Sequence, residues 1–133
     1  MIVLRVLRHE DPEDIKEIWK DIWDGTDYLP SLFHGWVDDP QGRFMGAVDT
    51  DTGKVIGTST YSVLGDGSGW LEGMRIHKDY RVRKLAKLLT ESVLTAAKED
   101  LAAGSIRKIA FSTHISNVES VNMMKQYGFV IEQ

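Results

Sequence analysis

Residues 70–89, WLEGMRIHKDYRVRKLAKLL, have the pattern of a strand, a short basic turn and the first turns of a helix. Arg81, Arg83 and Lys84 place three cations at the start of that helix. The N–H groups and partial positive charge of a helix N-terminus favour a bound anion. The segment therefore predicts a phosphate site at the helix start, although an ordinary basic helix start without a ligand has the same pattern.

The elements on either side of this segment indicate the fold class. Strand patterns occupy residues 2–7, 44–48, 55–64, 70–77 and 106–113, and a last strand begins at residues 128–133. Turn-forming residues at 49–53 and 65–69 join the middle strands into an antiparallel meander. A helical pattern from Arg81 then leads to the strand at residues 106–113, which implies a parallel pair with a right-handed crossover. We expect an α/β (α+β) fold with a mixed, mostly antiparallel sheet flanked by helices.

Three further helical patterns complete the chain. Asp11 and Pro12 have the character of an N-cap and a first helical position, and apolar residues follow at helical spacing. A second helix is predicted over residues 31–38 and a last one over residues 117–127. The chain therefore has enough helices to cover both faces of the sheet.

Composition excludes several classes of function. The chain has 133 residues, the length of one domain, and its formal net charge is −4, which argues against a nucleic-acid partner. It contains no cysteine, so disulfides, thiolate metal ligands and a cysteine nucleophile are excluded. No apolar stretch approaches the roughly 18 residues that span a bilayer, and the first residues, MIVLRVLRHED, lack the long apolar region and small-residue cleavage site of a signal peptide. We expect a cytoplasmic protein without a membrane partner.

The order of the elements and two motifs resemble the GCN5-related N-acetyltransferase (GNAT) superfamily over nearly the whole chain. RVRKLA at residues 81–86 occupies the place of that family's pyrophosphate loop. NVES at residues 117–120, followed by Gly128 and Phe129, resembles its later cofactor segment. Residues 25–40 and 70–76 are most similar to the histidine N-acetyltransferase group. The resemblance implies a GNAT fold in a single domain over residues 1–133.

The resemblance also implies a reaction, the transfer of an acetyl group from acetyl-CoA, as co-substrate, to a small-molecule primary amine such as the α-amine of histidine. It assigns the acyl-CoA contacts to Arg81, Val82, Arg83, Lys84, Leu85, Ala86, Met74, Arg75, Ile76 and Asn117. Asn117 has the alternative role of an N-cap. Val82 and Lys84 stand where the family commonly has glycine, so tight cradling of a phosphate by the backbone is in question.

Amine acylation needs a proton acceptor for the amine and a proton donor for the leaving thiolate. Glu72 is the candidate base, because strand alternation predicts it on the same side as Met74 and Ile76, among apolar neighbours that would raise its pKa. A solvent-facing or salt-bridged glutamate has the same pattern. Met124 falls where many family members have a proton-donating tyrosine, so Tyr127, one helical turn later, is the candidate acid.

Asp27 and Tyr28 are the candidate acceptor-binding residues, because the loop between the first two helices borders the acceptor site in this superfamily. An acidic Asp27 would suit an ammonium or imidazole group, although aspartate is common in loops. His34, His77 and His114 lack the spacing of metal ligands, so we expect no metal site.

The end of the chain raises a question about the sheet. Family members usually carry another strand after the one that begins at Gly128, whereas this chain ends at Gln133. We expect an incomplete sheet edge, and with it a homodimer through that edge or a longer natural protein. Two other functions stay open, a catalytically inactive GNAT-fold module that binds acyl-CoA weakly or mediates protein interaction, and an acetyltransferase for protein lysines or N-termini.

Overall fold

Strands and helices follow one another along the chain in the predicted order. The structure, a computed structural model, describes residues 1–19, 29–80, 83–111 and 118–130. The strands are β1 (Ile2–Val6), β2 (Arg43–Asp49), β3 (Lys54–Val63), β4 (Ser68–Ile76) and β5 (Lys108–Phe111). The helices are α1 (Pro12–Trp19), α2 (Leu29–Asp38), α3 (Arg83–Ala103) and α4 (Val118–Gln126), with a 3₁₀ helix at Lys78–Tyr80.

The five described strands form one sheet in the order β1-β2-β3-β4-β5. Strands β1 to β4 pair antiparallel, and β5 pairs parallel with β4, which confirms the predicted mixed sheet. β5 begins two residues later than predicted, and Ile106, which precedes it, is buried in the core. Residues 131–133 lie outside the described ranges, so the incomplete edge and the homodimer stay predictions.

Apolar side chains form a core on each face of the sheet. Under α1 and α2 lies a cluster of Leu7, Ile15, Ile18, Phe33, Phe44, Val48 and Val55. On the other face, the N-terminal half of α3 contributes to a cluster of Ala47, Ile56, Leu85 and Leu89, here called the N-terminal α3 cluster. The C-terminal α3 cluster contains Tyr61, Leu71, Val93, Leu94, Ala96, Ala97, Ile106 and Met124. One long helix thus covers most of one sheet face.

Asp11 stabilises the connection between β1 and α1. Its carboxylate accepts hydrogen bonds from both terminal nitrogens of Arg5, at 2.8 and 2.9 Å, and from the backbone N–H of Arg8, at 2.8 Å. Burial raises the pKa of Asp11, but these hydrogen bonds outweigh it and leave the pKa below its usual range. The predicted helix start at Pro12 is confirmed, and the Asp11 side chain contacts residues that precede the helix.

Helix α2 is joined to the turn between β1 and α1 by three side chains. His9 Nε2 lies 2.6 Å from Asp38 Oδ1, and His9 Nδ1 lies 2.6 Å from His34 Nδ1. Because an ionised carboxylate only accepts, His9 Nε2 donates to Asp38, and in the neutral pair His34 donates to His9. His34 and Asp38 are one helical turn apart, so both can reach the same imidazole.

Helix α3 has 21 residues and ends where the sequence predicts. Gly104 follows it with a φ of 81°, a left-handed conformation that glycine adopts without strain. The N–H of Ser105 then donates to the carbonyl of Asp100 at 2.9 Å. Neither α3 nor any other helix in the described ranges is long and apolar enough to cross a membrane.

Candidate active site

Strand β4 contains a β-bulge at its centre. On β3, Thr58 and Thr60 are two residues apart, whereas their partners on β4, Arg75 and Glu72, are three apart. The extra residue of β4 therefore lies between these partners, opposite Ser59. A bulge bends the strand and often redirects side chains next to a functional site.

The bulge decides which side chains share a face of the sheet. Leu71 packs in the C-terminal α3 cluster, and Met74 and Ile76 pack against the N-terminal one, so all three face α3. Glu72 and Arg75 face the opposite side. The prediction that Glu72 lies on the same side as Met74 and Ile76 was wrong, because the extra residue reverses the alternation of side chains along the strand.

Glu72 and Arg75 lie beside polar rather than apolar side chains on that face. Glu72 is opposite Thr60 and Arg75 is opposite Thr58, and both threonines are buried, at 1% and 0% exposure. Glu72 and Arg75 are themselves half-buried, and Arg75 Nη1 donates to the carbonyl of Met74 at 2.9 Å. The face thus presents a half-buried carboxylate and a half-buried guanidinium, next to two buried threonines, within one short stretch of sheet.

The described pairing between β4 and β5 involves the first half of β4. It runs from the pair of Ser68 and Lys108 to the pair of Leu71 and Phe111, and Phe111 is the last residue described before residue 118. The bulge of β4 lies beyond these pairs, toward the carboxyl end of the strand. Ligands of open α/β sheets bind at the carboxyl ends of the strands.

The start of α3 follows this part of β4 closely. The 3₁₀ helix comes directly after His77, and α3 begins at Arg83. Lys84 is exposed, and Leu85 is buried in the N-terminal α3 cluster, so Leu85 can offer a ligand only its backbone. Arg81 and Val82 lie outside the described residues. The backbone N–H groups of the first helical turn, together with Lys84, can attract an anion at this end of the sheet.

Tyr127 and Met124 lie near the end of α4. The Tyr127 hydroxyl donates to Glu91 Oε1 of α3 at 2.9 Å, and burial together with this hydrogen bond raises the pKa of Tyr127 to about 12. Tyr127 therefore keeps its proton at neutral pH. Met124 is 4% exposed in the C-terminal α3 cluster, where its thioether packs and cannot donate a proton. The role of Tyr127 as an acid stays a prediction.

Several predicted site residues lie outside the described part of the chain. These are Asp27, Tyr28, Arg81, Val82 and Asn117. The backbone of Arg83 belongs to α3 and Ala86 is half-buried on the same helix. Across the described ranges, no three His, Asp or Glu side chains converge in a way that could hold a metal ion.

The sequence did not predict the bulge, nor the hydrogen bond that attaches Tyr80, just before α3, to the sheet. Gly73, a glycine within a strand pattern, is a signal that could have indicated the bulge. Tyr80 donates a hydrogen bond to Asp49, at a distance of 2.7 Å, and nothing local to either residue predicts that pairing.

Comparisons with known proteins agree with this architecture. The family model described as Acetyltransferase (GNAT) family matches residues 7–129. The histidine N-acetyltransferase of Xenopus tropicalis is 30% identical over 108 residues, which are 80% of this chain and 33% of that protein. That of Oreochromis niloticus is 33% identical over 85 residues, 63% of this chain and 25% of that protein. The chain thus spans about a quarter to a third of the length of the curated relatives it matches.

Solved structures share the fold at lower identity. A GNAT-family acetyltransferase from Streptococcus pneumoniae is 19% identical with a TM-score of 0.77, and the match covers 99% of this chain and 86% of that protein's chain. The structure of AAC(6')-Iy with the bisubstrate analogue CoA-S-monomethyl-acetylneamine is 20% identical with a TM-score of 0.73, and the match covers 100% of this chain and 93% of that one. At these identities the likeness concerns the fold, and it confirms the predicted fold class.

Proposed function

Because this chain belongs to the GNAT acetyltransferase family, we propose that it transfers the acetyl group of acetyl-CoA to a primary amine. The observation that carries the proposal is the bulge of β4, which lies at the carboxyl end of the strand and is followed by the start of α3. This arrangement brings backbone groups of a strand and the N-terminus of a helix to one end of the sheet, which suits a long ligand with phosphates at one end.

In this proposal, different elements bind the phosphates and the pantetheine of acyl-CoA. The first turn of α3 and the residues before it hold the phosphates, through Arg81, Val82, Arg83, Lys84, Leu85 and Ala86. The backbone of β4 at Met74, Arg75 and Ile76 contacts the pantetheine and polarises the thioester carbonyl. The side chains of Met74 and Ile76 pack against the N-terminal α3 cluster, which favours a role for their backbone. Asn117, at the start of the last helix, contributes a further contact.

In the proposed reaction, acetyl-CoA supplies an activated acetyl group. The amine nitrogen of the acceptor forms a bond to the carbonyl carbon, and the bond from that carbon to sulfur breaks. Glu72 takes the proton that the amine loses. Tyr127 exchanges its hydrogen bond to Glu91 for one to the leaving sulfur and protonates it. Backbone N–H groups of β4 stabilise the negative charge on the carbonyl oxygen during the step.

We further propose that the acceptor is a small amino acid such as histidine. Two relatives of about 30% identity are histidine N-acetyltransferases. Glu72 and Arg75 carry opposite charges on one face of the sheet, which matches the ammonium and carboxylate of an amino acid. Asp27 and Tyr28 complete the acceptor site in this proposal.

Calorimetric titration of acetyl-CoA and of CoA into the protein tests whether the chain binds the proposed co-substrate. We expect micromolar dissociation constants, and a large loss of affinity in the double variant Arg81→Ala, Arg83→Ala. Release of free thiol is then followed with histidine, with histamine, which lacks the carboxylate, and with N-acetylhistidine, whose amine is blocked. Histidine should react fastest, histamine slowly and N-acetylhistidine not at all.

The same two measurements separate the catalytic function from an inactive module. Met124 is buried where many family members have a proton donor, which is the observation in favour of inactivity. Cofactor binding without thiol release for any amine would support that alternative. Absence of heat and of thermal stabilisation at millimolar acetyl-CoA would contradict the catalytic function and weak acyl-CoA binding, and would leave the module that mediates protein interaction. Equal rates with histidine and histamine would contradict the amino-acid acceptor.

A further inference from the structure

Between β4 and α3 the described chain is attached to the sheet through His77 and Tyr80. The N–H of His77 donates to the carbonyl of Ile56 at 2.8 Å, and the hydroxyl of Tyr80 donates to Asp49 Oδ2 at 2.7 Å. Asp49 ends β2 and is 9% exposed, and its Oδ1 accepts the N–H of Asp51 at 2.9 Å. The carboxylate thus joins the β2–β3 turn to the segment that leads into α3.

The aromatic ring of Tyr80 contacts the helix as well as the sheet. It packs against the N-terminal α3 cluster, which includes Leu85 and Leu89 from the first turns of α3. It also meets the ring of His77 edge to face, with centroids 5.7 Å apart and planes at 80°. With its hydroxyl bonded to Asp49 and its ring packed against the N-terminal α3 cluster, Tyr80 links the sheet to the first turns of α3.

A second tyrosine makes an equivalent contact at the other end of the helix. The hydroxyl of Tyr61, on β3, donates to Asp100 Oδ2 of α3 at 2.8 Å. Tyr61 is 1% exposed and belongs to the C-terminal α3 cluster. The two contacts have the same chemistry and nearly the same length, but only the Tyr80 contact adjoins the start of α3.

We propose that the hydrogen bond from Tyr80 to Asp49 positions the first turn of α3 for the phosphates of acyl-CoA. This inference rests on the proposed function. The described first turn of α3, which begins at Arg83, contains no glycine, so it cannot adapt to a phosphate through left-handed backbone conformations. Its placement must come from neighbouring contacts, and Tyr80 provides one on the sheet side. Tyr80 is a positioning residue, and its loss affects cofactor binding rather than the chemical step.

The experiment compares matched variants of the whole chain. Tyr80→Phe and Tyr61→Phe each remove one hydroxyl from a tyrosine–aspartate pair and keep the ring. We expect the dissociation constant of CoA to rise about five- to tenfold in Tyr80→Phe, as loss of one ordinary intramolecular hydrogen bond would give, and to stay within about twofold in Tyr61→Phe. The KM for acetyl-CoA should rise in parallel, while kcat and the KM for the amine stay unchanged.

A conservative variant keeps the inference testable if Tyr80→Phe folds poorly. Asp49→Asn retains an oxygen that accepts from Tyr80, so it should weaken CoA binding less than Tyr80→Phe does. The double variant should bind CoA no more weakly than Tyr80→Phe alone, because both changes act on one hydrogen bond. Thermal unfolding of each variant establishes that it is folded.

The outcomes distinguish this inference from the proposed function. If the unaltered chain binds CoA and Tyr80→Phe binds it equally well, the contact only stabilises the fold and the inference is wrong. An equal loss of affinity in Tyr61→Phe would also overturn it, since the effect would then follow from general loosening of α3. If the unaltered chain binds no CoA, the proposed function fails first, and the inference fails with it.

Discussion

The two halves of β4 are built from one continuous strand but differ in what they do. From Ser68 to Leu71 the strand pairs with β3 on one side and β5 on the other, and its side chains alternate regularly. A Cβ added at Gly69 would lie 2.7 Å from Ile106 Cδ1 and 2.8 Å from Tyr61 Cε1, so this half is closely packed. In the second half, the bulge interrupts this regular alternation, and the charged side chains of Glu72 and Arg75 occupy one face. The first half supports the core, and the second half carries the charged groups that the proposed function uses.

The largest effect on stability should come from a substitution in the first half of β4. Leu71 is 6% exposed in the C-terminal α3 cluster, so Leu71→Ala removes buried methyl groups and leaves a cavity. We expect the free energy of unfolding to fall by about 3 kcal/mol, measured by urea denaturation. The folded fraction should still bind CoA with unchanged affinity. A loss below about 1 kcal/mol would show that the first half of β4 is not the tightly packed region described above.

The second half should respond in activity rather than in stability. Glu72→Gln keeps the shape of the side chain but removes the proposed proton acceptor, so kcat should fall about 100-fold while the affinity for CoA is unchanged. Glu13→Gln, at a surface position of α1 with 84% side-chain exposure, is the matched control and should leave kcat unchanged. If Glu72→Gln keeps full kcat, Glu72 is not the proton acceptor. The second half of β4 would then differ from the first half in packing but not in catalytic role.

Most of the fold could be predicted from the sequence because its signals are local. The turn residues at 49–53 and the change of apolar spacing after Arg81 are each contained within one short window, and they indicated the meander and the parallel pair. The face occupied by Glu72 could not be derived by alternation, because one extra residue reverses every position after it. The contact between Tyr80 and Asp49 joins residues that are 31 apart in sequence, and no local pattern carries that information.

The smallest effect should come from a side chain that faces the core in the second half of β4. Met74 packs against the N-terminal α3 cluster, so in the proposed function it serves through its backbone N–H. Met74→Leu conserves volume, so we expect the free energy of unfolding to change by less than about 1.5 kcal/mol and kcat/KM to stay within about twofold. Urea denaturation and steady-state thiol release measure the two quantities. A tenfold loss of kcat/KM in a normally stable variant would mean that the Met74 side chain itself contacts the cofactor. The two faces of β4 would then both be functional, and the bulge would not separate core from site.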